Sequence, residues 1–550
     1  MSIIVEKNIE CILSDGIILR ADVYRPDKNG TYPVLMIRLP YDKTARRYYD
    51  EYLEVPRMVQ AGYVVILQDV RGRFASEGEF YPFIHEGKDG YESVEWAARL
   101  PYSNGKVGLF GMSYHGYTQL ATATERPPSL RAIAPVMTMA DPWVDLLNGE
   151  GAMSISNFET WTLGSIVEDQ LRRRNDPKAQ KVQGYIDQLE EWQRYAPADE
   201  WPPMKELDPH SFFFDVMHGK VDTAFKEQMT LMGKLPKLEI PALFIGGWFD
   251  ALLTPTLKAY KAYGGTKMLW VGPWTHEEMS GRAGEKFFEK AAKHIGVDQI
   301  LDPTELHIQW FNHWLKGEPL SIRKPVHLYL MGEKSWSAYE EWPPPARTQV
   351  LFLDSEGQSQ SRKGDGRLTD VPADSPTASL LKLDPEHPVP TRGGGVLIAG
   401  HSSGMFDIGD IQEREDVLVY TTAALEADLR LLGTVTATIW ISSPTPLVDL
   451  FVRLSDVEPA GKVFNVIDTF HRQEAEDDQP VCIELEVGHT AYLLKKGHRL
   501  RLDIAASNAP RYDVNLNNGQ TTKTAASGEI AYEHVYHGGS TASSITLSIV

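Results

Sequence analysis

A mostly parallel, doubly wound α/β sheet followed by an all-β domain is the architecture that this 550-residue sequence predicts, on three observations. Strand-like apolar runs alternate with helix-like segments from Val5 to about Met137, the pattern of a sheet built from β-α-β units. A glycine-flanked serine sits where one of those runs must turn sharply into a helix. Beyond Pro343-Pro344-Pro345 no long helical period competes, and short runs such as Val350-Leu351-Phe352-Leu353, Val417-Leu418-Val419-Tyr420 and Ile545–Val550 read as strands between glycine- and serine-rich loops. That is the composition of a β-sandwich of jelly-roll type. The chain exceeds a single hydrophobic core, so two or three domains are expected.

The elements follow in order. An alternating hairpin turns at Asp15-Gly16, a dipeptide suited to positive φ. Val34-Leu35-Met36-Ile37-Arg38 is a strand that leads into Leu39-Pro40-Tyr41-Asp42-Lys43, and Lys106–Phe110 is a buried strand that enters Gly111-Met112-Ser113-Tyr114-His115-Gly116 before a helix from Tyr117 to Glu125. From about Met139 to Leu235 the pattern changes: Val182, Tyr185, Ile186, Leu189, Trp192 and Tyr195 recur at helical spacing. Its position suggests a helical cap over a site, against the plainer reading of a helical extension beside the sheet. The sheet resumes with Ala242–Ile245 and Lys267–Val271, and Asp302-Pro303-Thr304-Glu305 starts a helix with an Asp N-cap and Pro at its first position. That helix carries Ile308, Phe311, Trp314 and Leu315 on one face and stops at Lys316-Gly317. The expected domains are a discontinuous catalytic domain (1–138 and 236–342), a cap insertion (139–235) and a C-terminal β-sandwich (346–550). Gly393-Gly394-Gly395 is read as a turn, because no following Lys-Ser or Lys-Thr makes it a phosphate loop.

The strand-to-helix turn at Ser113 is a nucleophile elbow, in which a strained backbone lifts the hydroxyl clear of its neighbours. The spacing is G-x-S-x-x-G and not the usual G-x-S-x-G. A serine hydroxyl is a weak nucleophile and needs a base, whose tautomer an acid must fix. Asp250 follows the strand that starts at Ala242, and His276 follows Gly272-Pro273-Trp274-Thr275 at the same edge of the sheet. The chain order Ser113, Asp250, His276 is that of an α/β-hydrolase. The oxyanion of acyl transfer needs donors in place; the Tyr114 N–H is one, and the loop after the Val34 strand makes Tyr41 a candidate for the second.

Pro40-Tyr41-Asp42-Lys43, Gln68-Asp69-Val70-Arg71-Gly72-Arg73, the Ser113 elbow, Gly247-Trp248-Phe249-Asp250 and Gly272-Pro273-Trp274-Thr275-His276 together resemble the cocaine esterase and X-Pro dipeptidyl-peptidase family of serine hydrolases. Asp384–Thr391 with Gly393-Gly394, Asp428–Gly433 and Asp449–Val457 resemble that family's C-terminal β domain, so the resemblance covers nearly the whole chain. It implies the same triad, and it implies that the Tyr41 phenol, with the Tyr114 N–H, completes the oxyanion hole. The arginines of the Asp69–Gly78 segment are read as structural partners of nearby acids.

Composition narrows the function classes. The formal net charge of −20 argues against nucleic acid and anionic membranes, and no run approaches the ~20 apolar residues that span a bilayer. Met1–Lys7 lacks a signal peptide's basic start and apolar core. Two cysteines, Cys11 and Cys482, far apart, suit a reducing cytoplasm and form no metal pattern, and with no HExxH or CxxC a metal-free, cofactor-free mechanism is expected. Homo-oligomerisation is left open. The first reading is an esterase for a small hydrophobic or aromatic acyl group, with Phe158, Trp161, Trp248 and Phe249 as candidate pocket residues. The second is an amidase or peptidase of the same family, in which Glu277 or Glu278 could meet a substrate ammonium. A non-catalytic carbohydrate- or peptide-binding protein is the reading from another class, and it leaves three matched strand-end residues unexplained.

Overall fold

The structure, a computed structural model, describes residues 2–147, 151–289, 291, 302–475 and 478–550. Its first half is a ten-stranded sheet. In chain order the strands are β1 (Ile3–Ile12), β2 (Ile18–Pro26), β3 (Tyr32–Leu39), β4 (Val64–Asp69), β5 (Ser103–Met112), β6 (Leu130–Val136), β7 (Ala242–Phe249), β8 (Lys267–Thr275), β9 (Val326–Leu330) and β10 (Ser335–Tyr339). They lie in the order β1-β2-β4-β3-β5-β6-β7-β8-β9-β10. The pairs from β4 through β9 are parallel, and the hairpin strands at the two ends are antiparallel. The interior of β4 and β7 is buried at every position, which is what a sheet covered on both faces demands of its central strands. Strand order runs outward in both directions from β3 and β5, and the carboxyl ends of β5, β7 and β8 point to one edge, where such sheets place their chemistry.

Local signals explain the joints. The β1–β2 turn has Gly16 at φ +86°. The Asp302 carboxylate accepts from the Glu305 N–H at 2.8 Å, capping the helix Pro303–Phe311, and a further turn ends at Gly317 with φ +77°. Between β6 and β7 lies the helical insertion. The periodic stretch from Val182 to Tyr195 is not one helix: Val182–Ile186 and Leu189–Trp192 are separate short helices, packed by burial of Val182 and Leu189 and broken between them.

From Arg347 onward the chain is all-β among the described residues, apart from single helical turns. The long strand Leu429–Ser442 pairs antiparallel with Val481–Leu494 and with Ser544–Ile549, while Leu447–Val457 pairs with Val463–Glu474 and Arg499–Ala505. Charge is buried here in closed pairs. Arg472 donates to both oxygens of Asp449 at 2.6 and 2.7 Å and to Asp513 at 2.8 Å, and Arg453 meets Asp503. The arginines of the Asp69–Gly78 segment are likewise tied: Arg71 is bidentate to Asp89, and Arg73 donates to the carbonyls of Pro40, Ser165 and Ile166, with Asp169 at 3.4 Å.

Candidate active site

The elbow is built from strain and close approach. Ser113 has φ +59° and ψ −128°, a left-handed conformation that costs a non-glycine residue about 1–3 kcal/mol. Its N–H donates to the carbonyls of Val136 (2.9 Å) and Met137 (3.1 Å), and its own carbonyl accepts from the Thr138 hydroxyl at 2.8 Å. The neighbouring strand thereby fixes the strained residue from both sides. A Cβ at Gly111 would lie 2.6 Å from His115 Nδ1, and one at Gly116 would lie 2.5 Å from Thr138, so both flanking glycines are required by space. The helix that follows, Tyr114–Thr124, leaves its first N–H groups without intrahelical partners, and that of Tyr114 is among them.

The other candidates arrive on adjacent strands. β7 ends at Phe249 and delivers Asp250, and β8 ends at Thr275 and delivers His276. Both side chains are buried, and His276 Nδ1 lies 2.8 Å from Asp250 Oδ1. The same oxygen accepts from the Leu252 N–H at 3.1 Å, while Asp250 Oδ2 is buried without a partner. An acceptor fixed this way holds the Nδ1 proton of the imidazole and leaves Nε2 for other work. Gly395 of the β domain lies against this aspartate: a Cβ there would be 2.7 Å from the Asp250 carbonyl oxygen.

Tyr41 sits at the end of β3. Its hydroxyl accepts from Trp161 Nε1 at 3.0 Å, which leaves the phenol proton free to be donated elsewhere. Burial pushes the phenol above its ordinary pKa, against the pull of Trp161, Arg47 and Arg73, so the donor form persists at neutral pH. The ring stacks on Tyr48, with centroids 6.2 Å apart, and meets His115 edge-on. His115 accepts from the Met112 N–H at 2.7 Å through Nδ1, and burial, with repulsion from Arg47 and His276, holds it well below the usual histidine range. It is a neutral brace of the elbow.

Two connected hollows meet at Ser113. One is narrow and apolar, about 80 Å³, and contains Tyr41, Tyr114, Phe83, Phe158, Trp161 and Phe212 in its wall. The other is more open and polar, about 440 Å³, and contains Tyr41, Arg47, His115, Thr160, His276 and Glu277. Ser113, Tyr41 and Trp161 line both. Of the pocket candidates, Phe158 and Trp161 are therefore in place. Trp248 and Phe249 are not: Trp248 Nε1 donates to the Tyr329 carbonyl at 2.9 Å, and Phe249 stacks on Phe288. Neither ring lines either hollow, and both are spent on packing contacts. Glu277 lines the polar half, whereas the Glu278 carboxylate takes the Ser280 hydroxyl. Sequence reasoning missed Phe83, Phe212 and Phe225 of the apolar wall and Leu397 of the β domain, which lines both hollows. The Tyr81-Pro82-Phe83 run just after the family-like Asp69–Gly78 segment was the one local signal. Among the described residues no cluster of His, Cys, Asp or Glu could hold a metal ion, and no helix is long and apolar enough to cross a membrane.

A serine hydroxyl on an elbow, a buried Asp–His pair and phenol and amide donors at one edge of a doubly wound sheet define a serine hydrolase of the α/β-hydrolase fold. The comparisons with known proteins carry this further. Residues 15–278 match the X-Pro dipeptidyl-peptidase (S15 family), and residues 321–546 match the X-Pro dipeptidyl-peptidase C-terminal non-catalytic domain. The chain is 31% identical to the cocaine esterase of Rhodococcus sp. (strain MB1 Bresler) over 540 residues, covering 94% of this chain and 93% of the relative. Among solved structures, an α-amino acid ester hydrolase superposes with a TM-score of 0.81 at 20% identity, covering 100% of this chain and 97% of the other. A Thaumarchaeota archaeon aminopeptidase does so with 0.77 at 22%, covering 99% and 96%. The chain belongs to the cocaine esterase and X-Pro dipeptidyl-peptidase (CocE/NonD) family and is a serine hydrolase.

Proposed function

We propose that the protein cleaves esters of a small hydrophobic or aromatic acid through an acyl-enzyme on Ser113. His276 Nε2 takes the Ser113 proton as Oγ attacks the carbonyl carbon, and Asp250 Oδ1 stabilises the imidazolium that forms. The Tyr41 hydroxyl and the Tyr114 N–H donate to the oxyanion. His276 then gives its proton to the leaving alkoxide, and water, activated by the same base, releases the acid.

The observation that carries the substrate class is the division of the cleft at Ser113. A base returns its proton to the leaving group, so the leaving group belongs on the His276 side, which is the open polar half. The acyl group is left with the narrow half, whose wall is aromatic and aliphatic. Such a wall rewards apolar acyl groups by burial, at about 25 cal/mol per Å² removed from water. Two free cysteines support a reducing cytoplasm as the place of the reaction.

The amidase or peptidase reading draws on Glu277, an exposed carboxylate on the leaving-group side. It predicts an ammonium on that side of the scissile bond, whereas an X-Pro substrate carries its free amine on the acyl side, where the wall is apolar. A panel of p-nitrophenyl esters, Xaa-Pro-p-nitroanilides and β-lactam amides decides. The proposal expects kcat/KM to peak on benzoyl or short branched acyl esters; a peak on the nitroanilides would replace it by the peptidase reading.

A further inference from the structure

Phe83, in the segment between β4 and the helix Glu86–Ala98, lines the narrow apolar hollow beside Ser113 from a left-handed backbone, at φ +68°. A bulky residue adopts that conformation only under strain, and the strain persists where the surroundings over-determine it. Three groups of contacts do so here. The Phe83 N–H donates to the Tyr114 hydroxyl at 2.9 Å, and that hydroxyl donates in turn to Glu86 Oε1 at 2.9 Å. The Phe83 carbonyl accepts from the Tyr117 hydroxyl at 3.2 Å, a proton it shares with the Met229 carbonyl at 2.8 Å. The Phe83 ring stacks on that of Tyr114, with centroids 4.6 Å apart and planes 26° apart, and meets Tyr117 edge-on at 5.1 Å. Both tyrosines belong to the helix Tyr114–Thr124 that starts at the nucleophile.

Filling a core calls for none of this, since an aromatic ring can be buried from an ordinary backbone without strain. At Phe83 the strained backbone carries the ring into the wall of the hollow, where it lies nearly parallel to Trp161, with centroids 6.2 Å apart and planes 20° apart. Trp161 is the residue whose indole donates to the Tyr41 hydroxyl. Moving the Phe83 ring aside means turning its backbone out of the left-handed region, which would leave its N–H and the Tyr114 hydroxyl without each other in a buried place. Unpaired buried polar groups are costly, so the wall is stiff at this point, and a stiff wall in a hollow of only about 80 Å³ rejects what does not fit.

We propose that Phe83 limits the length of the acyl group, and that the Tyr114 phenol, anchored on Glu86, is the positioning group that keeps the Phe83 ring in the wall. Tyr114 then serves the reaction through two separate parts: its backbone N–H faces the oxyanion in the mechanism proposed above, and its phenol fixes the acyl wall. The helix that carries the nucleophile thereby also sets which acyl groups reach it. This rests on the reading that the acyl group takes the narrow half of the cleft.

Two ester series assayed on the full chain test it: p-nitrophenyl acetate, butyrate and octanoate, which vary the acyl group, and the butyrates of p-nitrophenol, phenol and naphthol, which vary the leaving group. Phe83→Gly removes the ring and accepts the left-handed backbone without strain. It should raise the octanoate-to-butyrate ratio of kcat/KM by about tenfold or more, the scale on which an apolar pocket discriminates, and keep the ranking of the leaving groups. Tyr114→Phe retains the backbone N–H and should move the same ratio in the same direction by about three- to tenfold, the scale of one lost hydrogen bond. In the double variant the two effects should not add, because without the ring the phenol has nothing to hold. An acyl ratio that Phe83→Gly leaves unchanged, with the leaving-group ranking also unchanged, makes Phe83 a packing residue and overturns the proposal. A change confined to the leaving-group series overturns instead the division of the cleft on which it rests. Additive effects in the double variant remove Tyr114 from the positioning role. If Tyr114→Phe proves misfolded by circular dichroism, Phe83→Leu and Phe83→Gly decide, since a wall that limits acyl length should yield in two steps and a packing residue should leave the ratio where it was.

Discussion

The Arg472 cluster of the β domain and the catalytic edge of the sheet use their buried polar groups in different ways. In the β domain Arg472 is closed on Asp449 and Asp513, with a hydrogen bond from each of its three guanidinium nitrogens, and Arg453 is closed on Asp503. Glu533 in the same domain is buried without a cation, and burial holds its carboxyl well above the usual carboxylate range. In the catalytic half the buried groups at the sheet edge are left half-used: Asp250 spends one oxygen on His276 and leaves the other without a partner, and Tyr41 accepts a hydrogen bond while keeping its own proton. A closed pair stabilises geometry and has nothing left to offer a substrate. An open one carries its remaining capacity to the place where charge will develop, and its neighbours must hold it there.

The largest expected effect tests the open side. Asp250→Asn keeps the shape but reverses the hydrogen-bond demand on His276, and kcat should fall by about 10⁴ with KM little changed. Unaltered kcat on an ester whose chemistry limits turnover would remove Asp250 from the account. The closed side has its own test. Arg472→Met strands two buried carboxylates and should cost about 3–5 kcal/mol in urea unfolding of the β domain. A loss below ~1 kcal/mol, as for an exposed pair, would show that the buried cluster is no more closed than a surface one.

Next comes the proposed oxyanion donor. Tyr41→Phe should lower kcat by about 10² to 10³ while leaving KM nearly constant, and a loss below about threefold would leave only the Tyr114 N–H in that role. Trp161→Phe removes the hydrogen bond that orients the Tyr41 hydroxyl but keeps most of the wall, so a smaller loss is expected, about three- to tenfold in kcat. If Trp161→Phe were as damaging as Tyr41→Phe, the tryptophan would be acting on substrate directly. The smallest effect concerns acid. His307 in the catalytic half and His537 in the β domain are buried and held down at about 4. Their folded pKa lies below the unfolded value near ~6.5, so each contributes stability above that pH that is lost as pH falls toward 4. Tm should decline on acidification through this window. His537→Phe should flatten the decline; an unchanged slope would assign it to other groups.

Much of the site was legible in the sequence because each catalytic candidate follows a strand with its own local signature. Ser113, Asp250 and His276 sit one residue beyond β5, β7 and β8, and a strand end is a local property. The Asp302 cap was legible for the same reason. The walls were not. Trp248 and Phe249 border Asp250 in sequence but pack onto the Tyr329 backbone and Phe288, and aromatic density cannot say which neighbours a ring will meet. Leu397 reaches the cleft from a domain that begins more than a hundred residues after Ser113, and the close approach of Gly395 to Asp250 is equally long-range. Packing of that kind leaves no period in the sequence. The Val182–Tyr195 stretch is helical, as its spacing predicts, but the period does not show that the chain divides it into two short helices.

The proposed mechanism puts the acyl group on one serine, that of the strained elbow. Diethyl p-nitrophenyl phosphate transfers its phosphoryl group to an activated serine and leaves a stable adduct that mass spectrometry of the digested protein can place. The expected result is release of one p-nitrophenolate per chain, loss of all esterase activity, an adduct on Ser113, and no uptake by Ser113→Ala. Inactivation with the adduct on another residue, or equal labelling of Ser113→Ala, would contradict it.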